Sequence, residues 1–280
     1  METKRRMSVV FFVKELFRRF NDDDIVGLSA ELAYFFLLSL FPFLIFLVTL
    51  LAYLPVSQED VMEVFQQFAP GETLEMIEAN LKLIVGSQNS TLLSFGIIGT
   101  IWTASIGMNA VVRAFNRAYE VNESRSPLVA RGVSILLTFA MIFVIVVALL
   151  LPVFGQKIGL FISSSFGFSI EFMNAWNAVR WILSSIILLV VFSFLYFIAP
   201  NKRLKMKEVT TGAIFATVGW IIVSVAFSYY VESFGNYSST YGSLGGIIVL
   251  MIWFYLTGMT IIVGGEINAI INCRRIDCDE

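Results

Sequence analysis

The sequence contains no histidine, and its 280 residues include only two cysteines, six prolines and 14% charged side chains. Without imidazole the chain lacks the commonest metal ligand and the ordinary side-chain switch near neutral pH. It also lacks the third member of a Ser–His–Asp set and every zinc pattern built on histidine. Cys273 and Cys278 fall in a short polar tail, too few for a disulfide framework or a four-ligand metal centre. No glycine-rich phosphate loop ending in Gly-Lys is present. We therefore expect no cofactor, no metal and no enzyme acting on a dissolved substrate. The scarcity of charge matters as much, since a soluble domain carries about 25%.

What fills the chain is apolar. Hydrophobic residues make up 58% of it, with 27 phenylalanines, more than the core of a soluble domain this size would hide. Six segments are long and apolar enough to cross a bilayer as helices: residues 33–54, 92–112, 133–154, 181–199, 209–231 and 244–265. None contains Lys, Arg, Asp or Glu, and none shows the alternation of a barrel strand. The predicted fold class is all-α: a polytopic membrane protein, a six-transmembrane-helix bundle forming one membrane domain over residues 1–280. The N-terminal apolar run breaks at Lys14, so a cleaved signal peptide is not expected.

Charge distribution orients the bundle. Of the 19 Lys and Arg, all but Lys82, Lys157 and Arg180 lie in the N-terminal segment, the second and fourth loops or the tail. The positive-inside rule then places both termini in the cytoplasm, which agrees with an even number of spans. Residues 8–20 form an interfacial amphipathic helix, with Val9, Phe12, Val13, Leu16, Phe17 and Phe20 at helical spacing and Lys14, Arg18 and Arg19 around them. The first outer loop, 55–91, is acidic. Pro70-Gly71 divides it into two short amphipathic helices, 57–69 and 72–85. The second, 155–180, is rich in Ser and Phe. Pro42 removes a backbone bond within the first span and predicts a kink. Gly96 and Gly99, with Gly212 and Gly219, mark close helix contacts.

Four ionisable residues share one depth at the cytoplasmic rim: Glu31 before the first span, Arg113 and Arg117 after the second, and Glu266 after the sixth. Arg113 and Arg117 are four apart and share a face. Asn109 lies one turn deeper on it, and Asn268 is close to Glu266. One reading is structural, with carboxylates neutralising arginines and locking helix ends. The other is a polar pocket whose arginines grip an anionic headgroup, lined by all six residues as substrate contacts. Membrane lipids are the expected partners, an anionic lipid or amphiphile the expected substrate, and nucleic acid is not expected.

Three stretches resemble the YihY/BrkB family of bacterial inner-membrane proteins. They are Leu32-Ala33-Tyr34 with Ser39-Leu40-Phe41-Pro42; Arg113-Ala114-Phe115-Asn116-Arg117-Ala118-Tyr119; and Tyr241-Gly242-Ser243-Leu244-Gly245 through Trp253 to Gly265-Glu266-Ile267-Asn268-Ala269. The resemblance spans residues 10–272 and implies six helices in the bacterial cytoplasmic membrane. Members of that family have been labelled ribonuclease BN and discussed as lipid handlers or flippases. The absence of histidine argues against a zinc nuclease here. The function expected is a transporter or flippase-like handler of a lipid or amphiphilic anion. The alternative is a non-transporting scaffold that assists envelope assembly.

Overall fold

The computed structural model describes residues 9–51, 89–143, 170–234 and 244–273. Seven helices are found there, and among the described residues there is no strand. They are α1 (Val9–Asp22), α2 (Ile25–Leu51), α3 (Ser90–Ala118), α4 (Pro127–Phe143), α5 (Ile170–Ile198), α6 (Met206–Phe234) and α7 (Leu244–Cys273). Five of these, α2, α3, α5, α6 and α7, are long and apolar enough to cross a membrane, and α4 is a shorter apolar helix. This is a polytopic helical membrane protein. The outer-loop helices expected at 57–69 and 72–85 lie outside the described residues, as does the remainder of the third predicted span.

The helices are longer than the apolar runs that revealed them. The five spanning helices contain 27 to 30 residues, roughly 40–45 Å at about 1.5 Å per residue. A hydrocarbon core is about 30 Å thick, so their ends project into the headgroup zone, where charge is tolerated. Hence α2 begins at Ile25, ahead of residue 33, and α7 continues past 265 to Cys273. Residues 170–180, read from sequence as part of a loop, are the first turns of α5.

The chain divides into two compact units, one of Phe36–Ala104 and one of Met1–Phe35 with Ser105–Glu280. In the smaller unit α2 continues as helix through Pro42, whose ring lies against Gly99. A Cβ on Gly96 would meet the Phe46 backbone nitrogen at 2.7 Å, so only hydrogen fits there.

In the larger unit α6 packs on both α5 and α7, and α1 packs on α7. Ile25, Leu32, Phe115, Leu195, Tyr196, Ile261 and Ile262 are fully buried, which concentrates the core near the charged helix ends. The rings of Phe115 and Tyr196 lie 5.1 Å apart, and Gly264 and Gly265 of α7 lie directly against them. The Tyr196 hydroxyl donates to the Ile261 carbonyl at 2.7 Å, which satisfies its one polar atom in the core. Elsewhere the apolar residues face outward. Val218, Ile222, Val225 and Tyr229 form an exposed stripe along α6, and Ile182, Ile186 and Val190 do so along α5. Outward stripes of this kind are what lipid chains require.

Candidate functional site

The site grows out of two helix ends. At the C-terminus of α3, Val111, Val112, Ala114, Phe115 and Ala118 are buried, leaving Arg113 and Arg117 exposed on one face. The helix stops in a Schellman arrangement: Glu120 adopts φ 53°, the Val121 amide donates to the Asn116 carbonyl, and the Glu120 amide donates to the Arg117 carbonyl, each at 2.9 Å. Between α1 and α2, Asp24 also adopts φ 53°, and its carboxylate accepts the Gly27 amide at 3.2 Å as the cap of α2.

The two ends hold each other. Arg117 donates to the Asp23 carbonyl at 2.9 Å, fixing the α1–α2 turn. Arg19 of α1 donates to the Ala118 carbonyl at 2.7 Å, at the negative end of α3. Arg19 also donates to Glu15 at 2.8 Å and lies 3.4 Å from Glu120. Its side chain is only 8% exposed and faces Glu266, 1% exposed, at 3.6 Å. Neither oxygen of Glu266 has a hydrogen-bond partner among the described residues. Burial raises the titration range of the Asp23 carboxyl, in the turn between α1 and α2.

The six residues singled out from sequence are therefore divided. Arg113 is paired with Glu31 through a short charged contact, both partly exposed. Arg113 and Arg117 line an open groove of about 550 Å³ with Asp23, Asn116, Glu120 and Glu123. Glu266 pairs with Arg19 of the interfacial helix, and Asn109 is half-exposed on α3 with no partner among the described residues. Asn268 is fully buried away from the groove. It accepts from the Gly212 amide at 2.6 Å and donates to the Val209 carbonyl at 3.0 Å, a latch between α7 and α6. Asn272, one turn on, donates to the Glu208 carbonyl at 3.0 Å.

Sequence reasoning did not single out Arg19, Asp23 or Asn116. A signal for Arg19 existed: it falls three and seven residues after Leu16 and Phe12, on the face that packs inward rather than among the solvated cations. Asn116 is buried and ties two loops together. It donates to Glu123 at 2.9 Å and accepts the Asn201 amide at 2.7 Å.

Comparison with known proteins places this geometry in context. A family model described as Virulence factor BrkB matches residues 16–279. The chain is 56% identical over 269 residues to YfkH of Bacillus subtilis (strain 168), a protein named as ribonuclease-like, covering 96% of this chain and 98% of that one. It is 25% identical over 257 residues to a UPF0761 membrane protein of Haemophilus influenzae (strain 86-028NP), covering 89% of this chain and 91% of that one. A UPF0761 membrane protein of Chromohalobacter salexigens is 27% identical over 274 residues, 94% of this chain but 63% of that longer protein. No solved structure matches.

Proposed function

The chain belongs to the Virulence factor BrkB family of integral membrane proteins, and from that premise we propose that it is a transporter or flippase-like handler of a lipid or amphiphilic anion. The observation that carries this reading is the pair Arg113 and Arg117, exposed on one face of α3 and lining an open groove at the charged end of the helices. A headgroup phosphate displaces Glu31 from Arg113 and takes the free donors of Arg117, whose planar fork suits a bidentate grip. Asp23, Glu120 and Glu123 line the same groove, which favours a headgroup bearing an amine or hydroxyl beside its phosphate. Glu266 and Glu31 serve as coupling carboxylates and Asn109 as a polar group deeper in α3, while Asn268 remains committed to Gly212 and Val209 as the latch between α7 and α6. The charge distribution orients this end to the cytoplasm of a bacterial inner membrane. The name of the Bacillus relative gives no reason to assign nuclease chemistry here, since the imidazole ligands of a zinc hydrolase are missing.

The test is lipid movement across liposomes reconstituted with the protein, followed by the accessibility of fluorescent phospholipids to a membrane-impermeant quencher. Arg113→Met with Glu31→Leu removes a partly exposed pair together and is expected to fold, since such pairs contribute about 0–1 kcal/mol. It should abolish movement, and Arg117→Lys should impair it. A stable, fully active double variant would sink the headgroup role. It would favour the scaffold reading, which has its own support: Arg19, Arg113, Arg117 and Arg125 each hold a carboxylate or a main-chain carbonyl.

A further inference from the structure

A second groove, of about 660 Å³, opens at the α5–α6 turn. Its lining differs in kind from that of the Arg113 groove. Arg125, Lys202 and Arg203 contribute three cations, Phe197, Ile198 and Leu204 contribute apolar surface, and among the described residues no carboxylate lines it. Arg125 is committed to the fold: it donates to the carbonyls of Ile198 at 3.4 Å, Ala199 at 3.2 Å and Pro200 at 2.6 Å, and lies 3.7 Å from Glu123. Its guanidinium therefore forms a fixed positive wall. Asn201 pins the turn by donating to the Asn122 carbonyl at 2.8 Å and the Ser124 hydroxyl at 2.7 Å. The remaining two cations are available. The Lys202 ammonium sits 5.3 Å above the Tyr119 ring and Arg203 is exposed, and among the described residues neither has a carboxylate against it.

We propose that this groove binds the phosphate of an anionic phospholipid, with the glycerol and upper chains against Phe197 and Ile198. Two observations on the groove converge on that occupant. Its charge is one-signed, where the Arg113 groove is nearly balanced. It also lies where one span ends at Ile198 and the next begins at Met206, the depth at which a headgroup meets its chains. A soluble anion would satisfy the cations but leave the apolar wall wet. The inference is independent of the transport reading, because a resident lipid can occupy this turn whether or not the protein moves one.

The experiment is native mass spectrometry of the full chain released from mixed micelles containing dioleoyl phosphatidylglycerol or dioleoyl phosphatidylcholine. Lys202→Gln with Arg203→Gln should weaken retention of phosphatidylglycerol roughly five-fold for each charge and about thirty-fold together. Phosphatidylcholine should be retained weakly by both proteins, and Lys202→Arg with Arg203→Lys should keep binding. Lys207→Gln, a matched loss of charge outside the groove lining, should leave it unchanged. Equal retention by the double Gln variant, an equal effect of Lys207→Gln, equal binding of phosphatidylcholine, or displacement by millimolar inorganic phosphate would each overturn the proposal. Should the double variant fail to fold, the single exposed Arg203→Gln and the salt dependence of wild-type binding decide the matter, and salt-independent binding would refute it.

Discussion

Replacing Arg19 should damage this protein far more than replacing the buried carboxylate it faces. Arg19→Met removes the donor to the Ala118 carbonyl at 2.7 Å and the one to Glu15 at 2.8 Å, and it strands Glu266, 1% exposed, without a cation. A hydrogen bond from a charged group contributes about 1.5–3 kcal/mol, and breaking a buried pair costs about 3–5 kcal/mol. Because Ala118 and Glu266 share one guanidinium, these do not simply add, and a loss of about 3–5 kcal/mol is expected. Glu266→Gln differs. Among the described residues the carboxylate accepts no hydrogen bond, and it stands 3.6 Å from Arg19, which keeps its bonds to Ala118 and Glu15. That variant should change stability by no more than about 1 kcal/mol. Arg19→Met with Glu266→Gln should recover part of the first loss, with a coupling of about 0.5–3 kcal/mol. Unfolding in mixed micelles with increasing sodium dodecyl sulfate, followed by circular dichroism, measures all four proteins. If Glu266→Gln costs as much as Arg19→Met, or the two losses add without coupling, Arg19 is not the centre of this contact.

Three further outcomes are expected. Hydrogen bonds from Arg18, and then from Arg19, hold the Glu15 carboxyl at about 2 against its ordinary 4.5; its stabilisation is therefore complete above about pH 4.5 and lost as pH falls toward 2, and Glu15→Gln should flatten the thermal-stability profile across that window. Gly212→Ala would drive a Cβ into the Gly264 carbonyl and the Asn268 amide; overpacking costs about 1–3 kcal/mol, and with backbone as the obstacle the upper end should appear as a lowered melting temperature in detergent. With native cysteines replaced, a cysteine at Ser87 should react with an impermeant maleimide from outside the cell and one at Lys205 only from inside, and labelling of both from one side would overturn the orientation.

Membrane proteins disclose their spans readily, because lipid demands an unbroken apolar run and every run found here lies in a helix as far as the described residues extend. The exposed face of Arg113 and Arg117 was legible for a similar reason: spacing of four and common depth fix it, and Glu31 is the carboxylate that reaches it. The partner of Glu266 was not. Depth alone allowed any rim cation, and the choice of Arg19 depends on α1 folding back against α7, a contact between residues far apart in sequence. Nor was the role of Asn268, since a polar residue beside a buried acid reads equally well as pocket lining or as a latch, and the packing of Gly212 against α7 decides for the latch. The first turns of α5 were missed because a helix leaving the bilayer loses its apolar signature while keeping its backbone bonds.

The bond from Arg19 to Ala118 spans 99 residues, and that separation imposes an order on biogenesis. When α1 leaves the ribosome, neither its carbonyl acceptor nor Glu266 has been synthesised. During that interval Arg19 is a hydrated cation beside Lys14 and Arg18. Only when the second span has been made can it swing onto the end of α3, and only when the final helix is inserted does its carboxylate arrive. One residue thus waits as a solvated cation and seals the assembled helices late, so a substitution that preserves its charge but not its fork should insert normally and mature badly.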